Sequence, residues 1–325
     1  MDSSNEPLIS IVFTSYNHKE YLKQALDSLV NQTYSNVEII IIDDCSTDGS
    51  QEILKSYIGH PKINLQLQSI NSGSYVNASN YGATFAKGEY LLFAQCDDFA
   101  ETIQLEKLIR PFSEYENLGV CFSKSKLIDK DGIVFSDDFF GREIAFKKAV
   151  VANPYINGED MKNYLSFACV IPNLSAALIK RSLFEKVKGL SSQYLVVADW
   201  ELWLSLAELT DFYYIKEPLN YFRQHDTTIR SNVKMKVQVD EIYAMFYRRV
   251  NDKKITADQK KNFRLGAGAI WFTYFLENKR IWLQNFKSSY QAIKKLEKWP
   301  TYYLLSGITK HLVEFGYRKI YKRRN

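Results

Sequence analysis

The apolar and polar positions of residues 8–94 alternate between short apolar runs and stretches with helical spacing. The apolar runs, rich in β-branched residues, predict buried strands over 8–13, 37–42, 63–67 and 90–94. The stretches between them predict helices that begin near residues 17, 50 and 75, and Asn17 followed by Glu20 is typical of an N-cap with a capping box. Strands that alternate with helices predict an α/β fold with a mostly parallel sheet.

The pattern changes in the rest of the chain. Asp131-Gly132 predicts a hairpin, and residues 175–179 predict one more short strand. From residue 235 onward no strand is predicted, and aromatic residues such as Trp271 and Phe275 recur at the spacing of a helix core. We therefore expect a sheet domain over residues 1–234 and a C-terminal helical appendage over 235–325.

Length and composition are those of an ordinary globular protein. The 325 residues, 46% hydrophobic and 14% aromatic, are enough to bury a full core. Residues 1–7 lack the basic and apolar regions of a secretory signal, and the apolar stretch 265–276 is shorter than the about 20 residues that span a bilayer. The four cysteines show no Cys-x-x-Cys spacing, which supports neither a zinc site nor a disulfide framework. The expected location is the cytoplasm.

The net charge of +5 is modest, but basic residues are concentrated at the C-terminus. The last eight residues contain Arg318, Lys319, Lys322, Arg323 and Arg324. Such a tail favours peripheral contact with an anionic membrane at its inner face over contact with nucleic acid, which is not an expected partner. A solvated terminus without a partner is the alternative.

Two of the predicted strands end in paired carboxylates. Asp43 and Asp44 follow the apolar run 37–42, and Asp97 and Asp98 follow the run that begins at Tyr90. Ligands of open α/β sheets bind beyond the carboxyl ends of the strands, so we expect both pairs to face one crevice. Carboxylate oxygens are suitable ligands for Mg²⁺ or Mn²⁺.

Six motifs, in this order along the chain, resemble the family 2 glycosyltransferases of the GT-A fold. They are Ser10–Asn17, Gln32-Thr33-Tyr34, Val37–Ser50 with its Asp-Asp-x-Ser-Thr-Asp-Gly-Ser, Ala86–Tyr90, Asp97-Asp98 and Asp199-Trp-Glu-Leu-Trp203. The resemblance extends over residues 8–230. It implies a Rossmann-like nucleotide-binding sheet, a nucleotide-diphosphate sugar as donor, assistance by Mn²⁺ or Mg²⁺, and transfer with inversion at the anomeric carbon.

The resemblance also implies roles for single residues. Thr14, Tyr16 and Asp44 correspond to residues that hold the base and ribose, and Asp98 corresponds to the metal ligand beside the diphosphate. Asp199 matches the catalytic base. Further contacts to the nucleotide are expected from Asn17, Asn71, Asn80 and Asp97. The segment Tyr221–Asp226 resembles the motif that follows the base and gives His225 a role as metal ligand or phosphate contact, with a purely structural histidine as the alternative.

Physical chemistry agrees with the two main roles. Asp44 can accept the imide N–H of a uracil-like base, whose unpaired burial would cost about 1–3 kcal/mol. Asp199 is predicted at a helix start, where an ionised carboxylate is favoured, and an ordinary aspartate can take a proton from a hydroxyl group. Asp199 is preferred as base over Glu201, which falls inside the first turn, and a helix cap is the alternative role for Asp199.

The chain departs from the common family pattern at two positions. Gln95 stands where many members have a carboxylate, and Ala198 stands where an acidic residue usually precedes the base. The expected function is an inverting glycosyltransferase that moves a sugar from a nucleotide-diphosphate donor, a UDP-sugar above all, to a hydroxyl of a glycan or lipid-linked acceptor in cell-surface polysaccharide biosynthesis. A catalytically inactive nucleotide-sugar-binding protein is the alternative that the two departures suggest, and a glycoside hydrolase, which also uses two carboxylates, is a third.

Overall fold

The computed structural model describes residues 6–137, 144–226, 234–277, 279–296, 301–309 and 312–313. These residues form two compact units. The first contains 6–137, 153–158 and 171–224, and the second contains 144–152, 159–170, 225–226 and the residues from 234 onward. The division into domains at residue 234 stays a prediction.

The first unit is organised by ten strands. They are β1 (Ile9–Ser15), β2 (Val37–Asp43), β3 (Ile63–Leu67), β4 (Tyr90–Gln95), β5 (Phe99–Ala100), β6 (Leu118–Ile128), β7 (Val134–Asp137), β8 (Tyr155–Ile156), β9 (Ala177–Lys180) and β10 (Asp211–Arg223). The sheet order is β3-β2-β1-β4-β9-β6-β10-β5, with β7 on β6 and β8 on β10. The sheet is parallel from β3 to β4 and mixed beyond β4, where β9 runs antiparallel to both β4 and β6.

Eleven helices have bounds within the described part of the chain. They are α1 (Lys19–Val30), α2 (Ser50–Lys55), α3 (Tyr75–Ala83), α4 (Gln104–Ile109), α5 (Ile144–Ala152), α6 (Gly158–Leu165), α7 (Arg181–Lys186), α8 (Ala198–Leu206), α9 (Met235–Val250), α10 (Ala257–Glu277) and α11 (Lys279–Leu296). Residues 301–309 are also helical. Among the helices of the described residues, none is both long and apolar enough to cross a membrane.

The predicted strands and the helical C-terminal region are present, so the expected α/β fold is confirmed. The four apolar runs of the first half are strands β1 to β4, and the apolar side chains of β1, β2 and β4 are buried because the parallel sheet is covered there, whereas those of β3, at the end of the sheet, are partly buried or exposed. The hairpin predicted at Asp131-Gly132 joins β6 to β7, and Gly132 has the positive φ of +85° that favours glycine in such a turn.

The predicted N-cap at Asn17 is wrong. The helix begins at Lys19 with His18 at the N-cap position and no side-chain cap hydrogen bond. Asn17 has a left-handed φ of +53°, and its side chain is engaged elsewhere, where its Oδ1 accepts the Thr47 N–H at 2.8 Å. A hydrogen bond to a residue 30 positions away replaced the local bond that the capping-box pattern predicts.

Candidate active site

The parallel register of three strands places their carboxyl ends side by side. Ser15 at the end of β1 pairs with Asp43 at the end of β2, and Thr14 pairs with Gln95 at the end of β4. The turns that follow are therefore neighbours, as the sequence predicts. The Thr14 hydroxyl donates to Gln95 Oε1 at 3.2 Å, and the Asp44 N–H donates to the Ser15 carbonyl at 2.8 Å.

Two aspartates shape the turn between β2 and α2. Asp43 Oδ2 accepts the Ser46 N–H and the Gln51 amide, both at 2.9 Å. Asp48 accepts the Lys19 N–H at 2.9 Å and the Ser50 N–H at 3.0 Å, so it ties the start of α1 to the start of α2. Burial alone would raise the pKa of Asp48, but the hydrogen bonds from Ser50 and Lys19 outweigh burial and lower it.

Asp44 connects this turn to the loop before α3. Its carboxylate is buried and accepts the Ser72 N–H at 2.7 Å and the Ser72 hydroxyl at 2.9 Å. Asn71 donates its side-chain amide to the Asp44 carbonyl at 2.9 Å, so its amide nitrogen supports the same corner. A carboxylate offers about four lone-pair positions, and Ser72 uses two, so Asp44 keeps acceptor capacity for a further N–H.

Tyr16 and Asn17 lie between these turns. Tyr16 is 47% exposed, which leaves its ring available as a flat surface at this edge of the sheet. The Asn17 N–H donates to Ser46 Oγ at 3.0 Å, and its side chain accepts from Thr47. The structure thus brings together five of the predicted nucleotide-binding residues. They are Thr14, Tyr16, Asn17, Asp44 and Asn71.

Asp97 and Asp98 lie in very different environments. Asp98 is 4% exposed, and Asn173 Nδ2, Ser175 Oγ and the Arg223 N–H donate to its oxygens at 2.6, 2.9 and 3.0 Å. Burial, and then the charge of Asp97, raise the pKa of Asp98 well above its usual range. Asp97 is half-buried and is the more accessible carboxylate of the pair. The role of Asp98 as metal ligand stays a prediction, and its oxygens are already engaged within the protein.

Arg223 fixes the turn that carries the acidic pair. Its buried guanidinium donates to the carbonyls of Asp97 at 2.9 Å, Asp129 at 3.1 Å and Lys130 at 3.0 Å, and to Gln24 Oε1 at 2.7 Å. It also lies 4.4 Å from the centre of the Tyr21 ring. One side chain therefore links the Asp97 turn to α1 and to the β6–β7 hairpin. The sequence motif Tyr221–Asp226 includes Arg223, but it did not suggest this role.

The partners of Asp98 could not be identified from sequence. Asn173 and Ser175 are separated from Asp98 by 75 and 77 positions. Asn220 extends the network by donating to Asn173 Oδ1 and to Ser125 Oγ, both at 3.1 Å. All four of these polar residues are buried, and Asn173 and Ser175 lie in the otherwise apolar stretch 170–179. That is the one signal in the sequence that could have indicated a buried polar network.

Asp199 lies in the first turn of α8. Its Oδ1 accepts the Trp200 N–H at 2.7 Å, and its side chain is partly exposed. Glu201 is buried, and Ser205 donates to its Oε1 at 3.4 Å. Of the two acidic residues considered as base, Asp199 is thus the more accessible.

Two further predicted residues have other surroundings. The Asn80 side chain forms two hydrogen bonds with the backbone of Leu190. Its Oδ1 accepts the Leu190 N–H at 2.9 Å, and its Nδ2 donates to the Leu190 carbonyl at 2.8 Å. Asn80 therefore anchors the loop that leads toward α8, and its contact with a nucleotide stays a prediction. His225 is half-buried and belongs to the second compact unit, whereas the other predicted site residues belong to the first. Its role as metal ligand also stays a prediction.

The acidic pair fits a cation that is held mainly by a bound ligand. Within the described residues, no group of three or more His, Cys, Asp or Glu side chains is arranged to hold a metal ion. The Asp97–Asp98 turn offers one accessible carboxylate beside one that is engaged in the protein. A hard cation takes six or more oxygen ligands, so phosphate oxygens and water would have to supply the rest.

Comparison with known proteins defines the class of this fold and site. Residues 10–188 match the family model of glycosyl transferase family 2. This match covers more than half of the chain, and the chain belongs to that family of glycosyltransferases. The resemblance seen in the sequence motifs is confirmed.

Known relatives extend this result. The chain is 30% identical over 199 residues to the UDP-Glc:alpha-D-GlcNAc-diphosphoundecaprenol beta-1,3-glucosyltransferase WfaP of Escherichia coli, a match that covers 61% of this chain and 70% of WfaP. S. aureus TarS 1-349, solved in complex with UDP-GlcNAc, has a TM-score of 0.67 and 18% identity over 96% of this chain and 91% of that one. The mannosyltransferase PcManGT from Pyrobaculum calidifontis, solved with GDP-Man and Mn²⁺, has a TM-score of 0.56 and 16% identity over 96% and 88%. At 18% and 16% identity, the likeness to TarS and PcManGT shows that this chain has the same fold as these two proteins and shows nothing more.

Proposed function

We propose that this protein is an inverting glycosyltransferase that moves a sugar from a UDP-sugar to a hydroxyl of a glycan or lipid-linked acceptor in cell-surface polysaccharide biosynthesis. The observation that carries the proposal is the edge of the sheet where the turns after β1, β2 and β4 meet with Asp44 and Asp97. Support for the donor and acceptor comes from the TarS complex with UDP-GlcNAc and from the acceptor in the name of WfaP. We also propose a cytoplasmic location with peripheral contact at the membrane, to which the basic tail, outside the described residues, would contribute.

The nucleotide would lie across this edge. Asp44 accepts the imide N–H of the base with the lone pairs that Ser72 leaves available. Tyr16 offers its exposed ring to the base, and Thr14, Asn17 and Asn71 support the surrounding turns. Because the carboxylate of Asp44 is buried, a base without a matching donor would leave its remaining acceptor positions unpaired, which costs about 1–3 kcal/mol and favours uracil.

The geometry leads us to propose Asp97 for the Mn²⁺ or Mg²⁺ contact, with Asp98 behind it as a positioning residue; this differs from the prediction of the sequence motif, in which Asp98 is the metal ligand, and that prediction stays open. A divalent cation would neutralise charge on the departing diphosphate. Asp97 is the accessible carboxylate of the pair, and Arg223 holds its backbone carbonyl at 2.9 Å. The complex of PcManGT with GDP-Man and Mn²⁺ supports metal use in this fold.

Asp199 would act as general base. The acceptor hydroxyl must lose its proton as it attacks the anomeric carbon, and Asp199 offers a partly exposed carboxylate in the first turn of α8 that could accept it. One base with no second carboxylate as nucleophile implies a single displacement, and therefore inversion. Trp200 and Trp203 of α8 are buried in the hydrophobic core of the protein.

The test is a screen of nucleotide-sugars for diphosphate release with Mn²⁺, followed by Asp199→Asn. The variant keeps the shape of the side chain, so donor binding should persist while transfer falls by about 10²–10⁴-fold. Asp258→Asn, at an exposed position in the first turn of α10, is the matched control and should leave transfer unchanged. Retained configuration in the product, or wild-type turnover of a folded Asp199→Asn protein, would refute the mechanism. Binding without turnover across the whole panel would instead identify an inactive nucleotide-sugar-binding protein.

A further inference from the structure

Helix α11 has one face that is both basic and apolar. Its sequence contains five basic residues and no aspartate or glutamate. The basic residues are Lys279, Arg280, Lys287, Lys294 and Lys295. Side chains four positions apart share a face of a helix, so Lys279, Leu283 and Lys287 form one stripe. Lys294, two turns further on, continues it.

A neighbouring face of α11 accounts for the packing of the helix. Ser289 and Ile293 are buried, and Trp271 of α10 donates its indole N–H to Ser289 Oγ at 3.1 Å. The ring of Trp282 lies 4.7 Å from that of Trp271. The helix is therefore held to α10 mainly by this face, and the stripe adds one contact, in which Lys279 Nζ lies 5.9 Å from the centre of the Phe275 ring.

The stripe exposes an apolar side chain between its lysines. Leu283 is 66% exposed and Phe286 is 40% exposed, and Lys279, Lys287 and Lys294 are all exposed. The Phe286 ring lies 5.6 Å from that of Trp271 and belongs to the packed face, so Leu283 is the apolar side chain that the stripe offers. Basic residues that flank an exposed apolar side chain on a helix are typical of segments that lie in the interface of an anionic bilayer. Leu283 would enter the acyl boundary, while the lysine stems would extend to the headgroups.

We propose that the stripe Lys279–Leu283–Lys287–Lys294 of α11 docks on an anionic lipid surface. Charge complementarity selects this occupant, because five positive charges on 18 residues attract anionic headgroups. The same charges oppose a symmetric contact with a second copy, since a two-fold interface would place the same basic patch on both sides. The residues of this surface differ from those of the basic tail at 318–324, and lipid binding does not depend on sugar transfer, so vesicle binding and activity can fail independently.

Vesicle co-sedimentation of the full chain tests the proposal. Binding is measured on phosphatidylcholine vesicles with and without about 30% phosphatidylglycerol, and it should require the anionic lipid and weaken in salt. Changing Lys279, Lys287 and Lys294 together to Gln should weaken binding by about 100-fold, which is about fivefold for each basic contact. Changing the exposed Lys55, Lys87 and Lys261 to Gln is the matched control and should weaken binding by less than about fivefold.

A second pair of variants tests the apolar contribution. Leu283→Gln should weaken vesicle binding by about tenfold, because burial of a leucine in the bilayer is lost. Ile58→Gln, at a position that is 67% exposed in the first unit, should have no effect. Thermal unfolding confirms that each variant is folded.

Three results would overturn the proposal. The first is equal vesicle binding by the wild type and the triple lysine variant. The second is dimerisation in analytical ultracentrifugation that Leu283→Gln abolishes, which would make the stripe an interface between copies. The third is binding to a soluble polyglutamate peptide as tight as binding to vesicles and insensitive to Leu283→Gln, which would indicate an acidic protein partner.

Discussion

The substitutions Asp98→Asn and Asp97→Asn should differ in their effects. We expect Asp98→Asn to affect mainly the stability of the fold and Asp97→Asn to affect mainly metal-assisted binding. Asp98 accepts hydrogen bonds from Asn173, Ser175 and Arg223. An asparagine has one acceptor oxygen and one NH₂ group, so it cannot accept from both directions. If its oxygen faces Asn173 and Ser175, its NH₂ group faces the Arg223 N–H, and two donors oppose each other.

The expected magnitude follows from this count. One lost hydrogen bond that leaves a buried donor unpaired costs about 1–3 kcal/mol, so Asp98→Asn should lower the free energy of unfolding by that amount. A domain of ordinary stability, about 5–15 kcal/mol, remains folded after such a loss. For Asp97→Asn we expect a change within about 0.5 kcal/mol, and relief of the repulsion between the two carboxylates acts in the stabilising direction.

Binding should show the reverse order. Titration calorimetry with UDP, with and without Mn²⁺, should show that Asp97→Asn loses the gain in affinity that the metal provides. Asp98→Asn, once allowance is made for unfolded protein, should retain most of it. Urea unfolding followed by tryptophan fluorescence supplies the stability of each variant. The reasoning is refuted if Asp98→Asn abolishes the metal effect while its free energy of unfolding equals that of the wild type.

Three further predictions concern neighbouring residues. Asp44→Ala should weaken UDP binding by about 1–3 kcal/mol in calorimetry. The control Ser72→Ala removes a hydrogen-bond partner of Asp44 but keeps the Asp44 carboxylate, so it should weaken binding less. Equal affinity of the wild type and Asp44→Ala would place the base contact elsewhere. Arg223→Lys cannot reproduce the four guanidinium contacts, so steady-state kinetics should show kcat/KM lower by about tenfold or more, with unchanged constants as the contrary result. Asp48→Asn should lower the free energy of unfolding by about 1 kcal/mol at neutral pH. The pKa of Asp48 is lowered in the folded state, so the difference in unfolding free energy between wild type and Asp48→Asn should be complete above the ordinary pKa of 3.8. In urea titrations this difference should vanish as the pH falls through the lower pKa of the folded state. A difference that persists at that pH would be the contrary result.

Much of the first unit could be predicted because its signals are local. Apolar runs identified β1 to β4, and in β1, β2 and β4 nearly every side chain is buried, as expected for covered parallel strands. The Asp-Gly pair located the β6–β7 hairpin from its positive-φ requirement. The Asp43 turn was also predictable, because Asp43 bonds to Ser46, three positions away.

The contacts that the sequence analysis did not supply are long-range. Asn17 was predicted to cap a helix from its neighbours alone, and the structure turned its side chain to Thr47 instead. The sequence motif gave Asp98 and Asp97 different roles, but it did not indicate that Asp98 is buried with partners up to 125 positions away. The spacing of residues along the chain predicts helices, strands and turns. It does not predict which distant polar groups meet when strands far apart in the sequence become neighbours, as in the order β4-β9-β6-β10.

The end of β10 explains why adjacent aspartates can have separate tasks. The Arg223 N–H holds the carboxylate of Asp98, and the Arg223 guanidinium holds the backbone carbonyl of Asp97. The turn is thus fixed through the side chain of one aspartate and the backbone of the other. The carboxylate of Asp98 is buried and accepts three hydrogen bonds, whereas the carboxylate of Asp97 lies at a half-buried position. The loss of the family's upstream carboxylate at Gln95 then leaves Asp97 as the accessible carboxylate of this turn, so metal-assisted binding should depend on that one side chain.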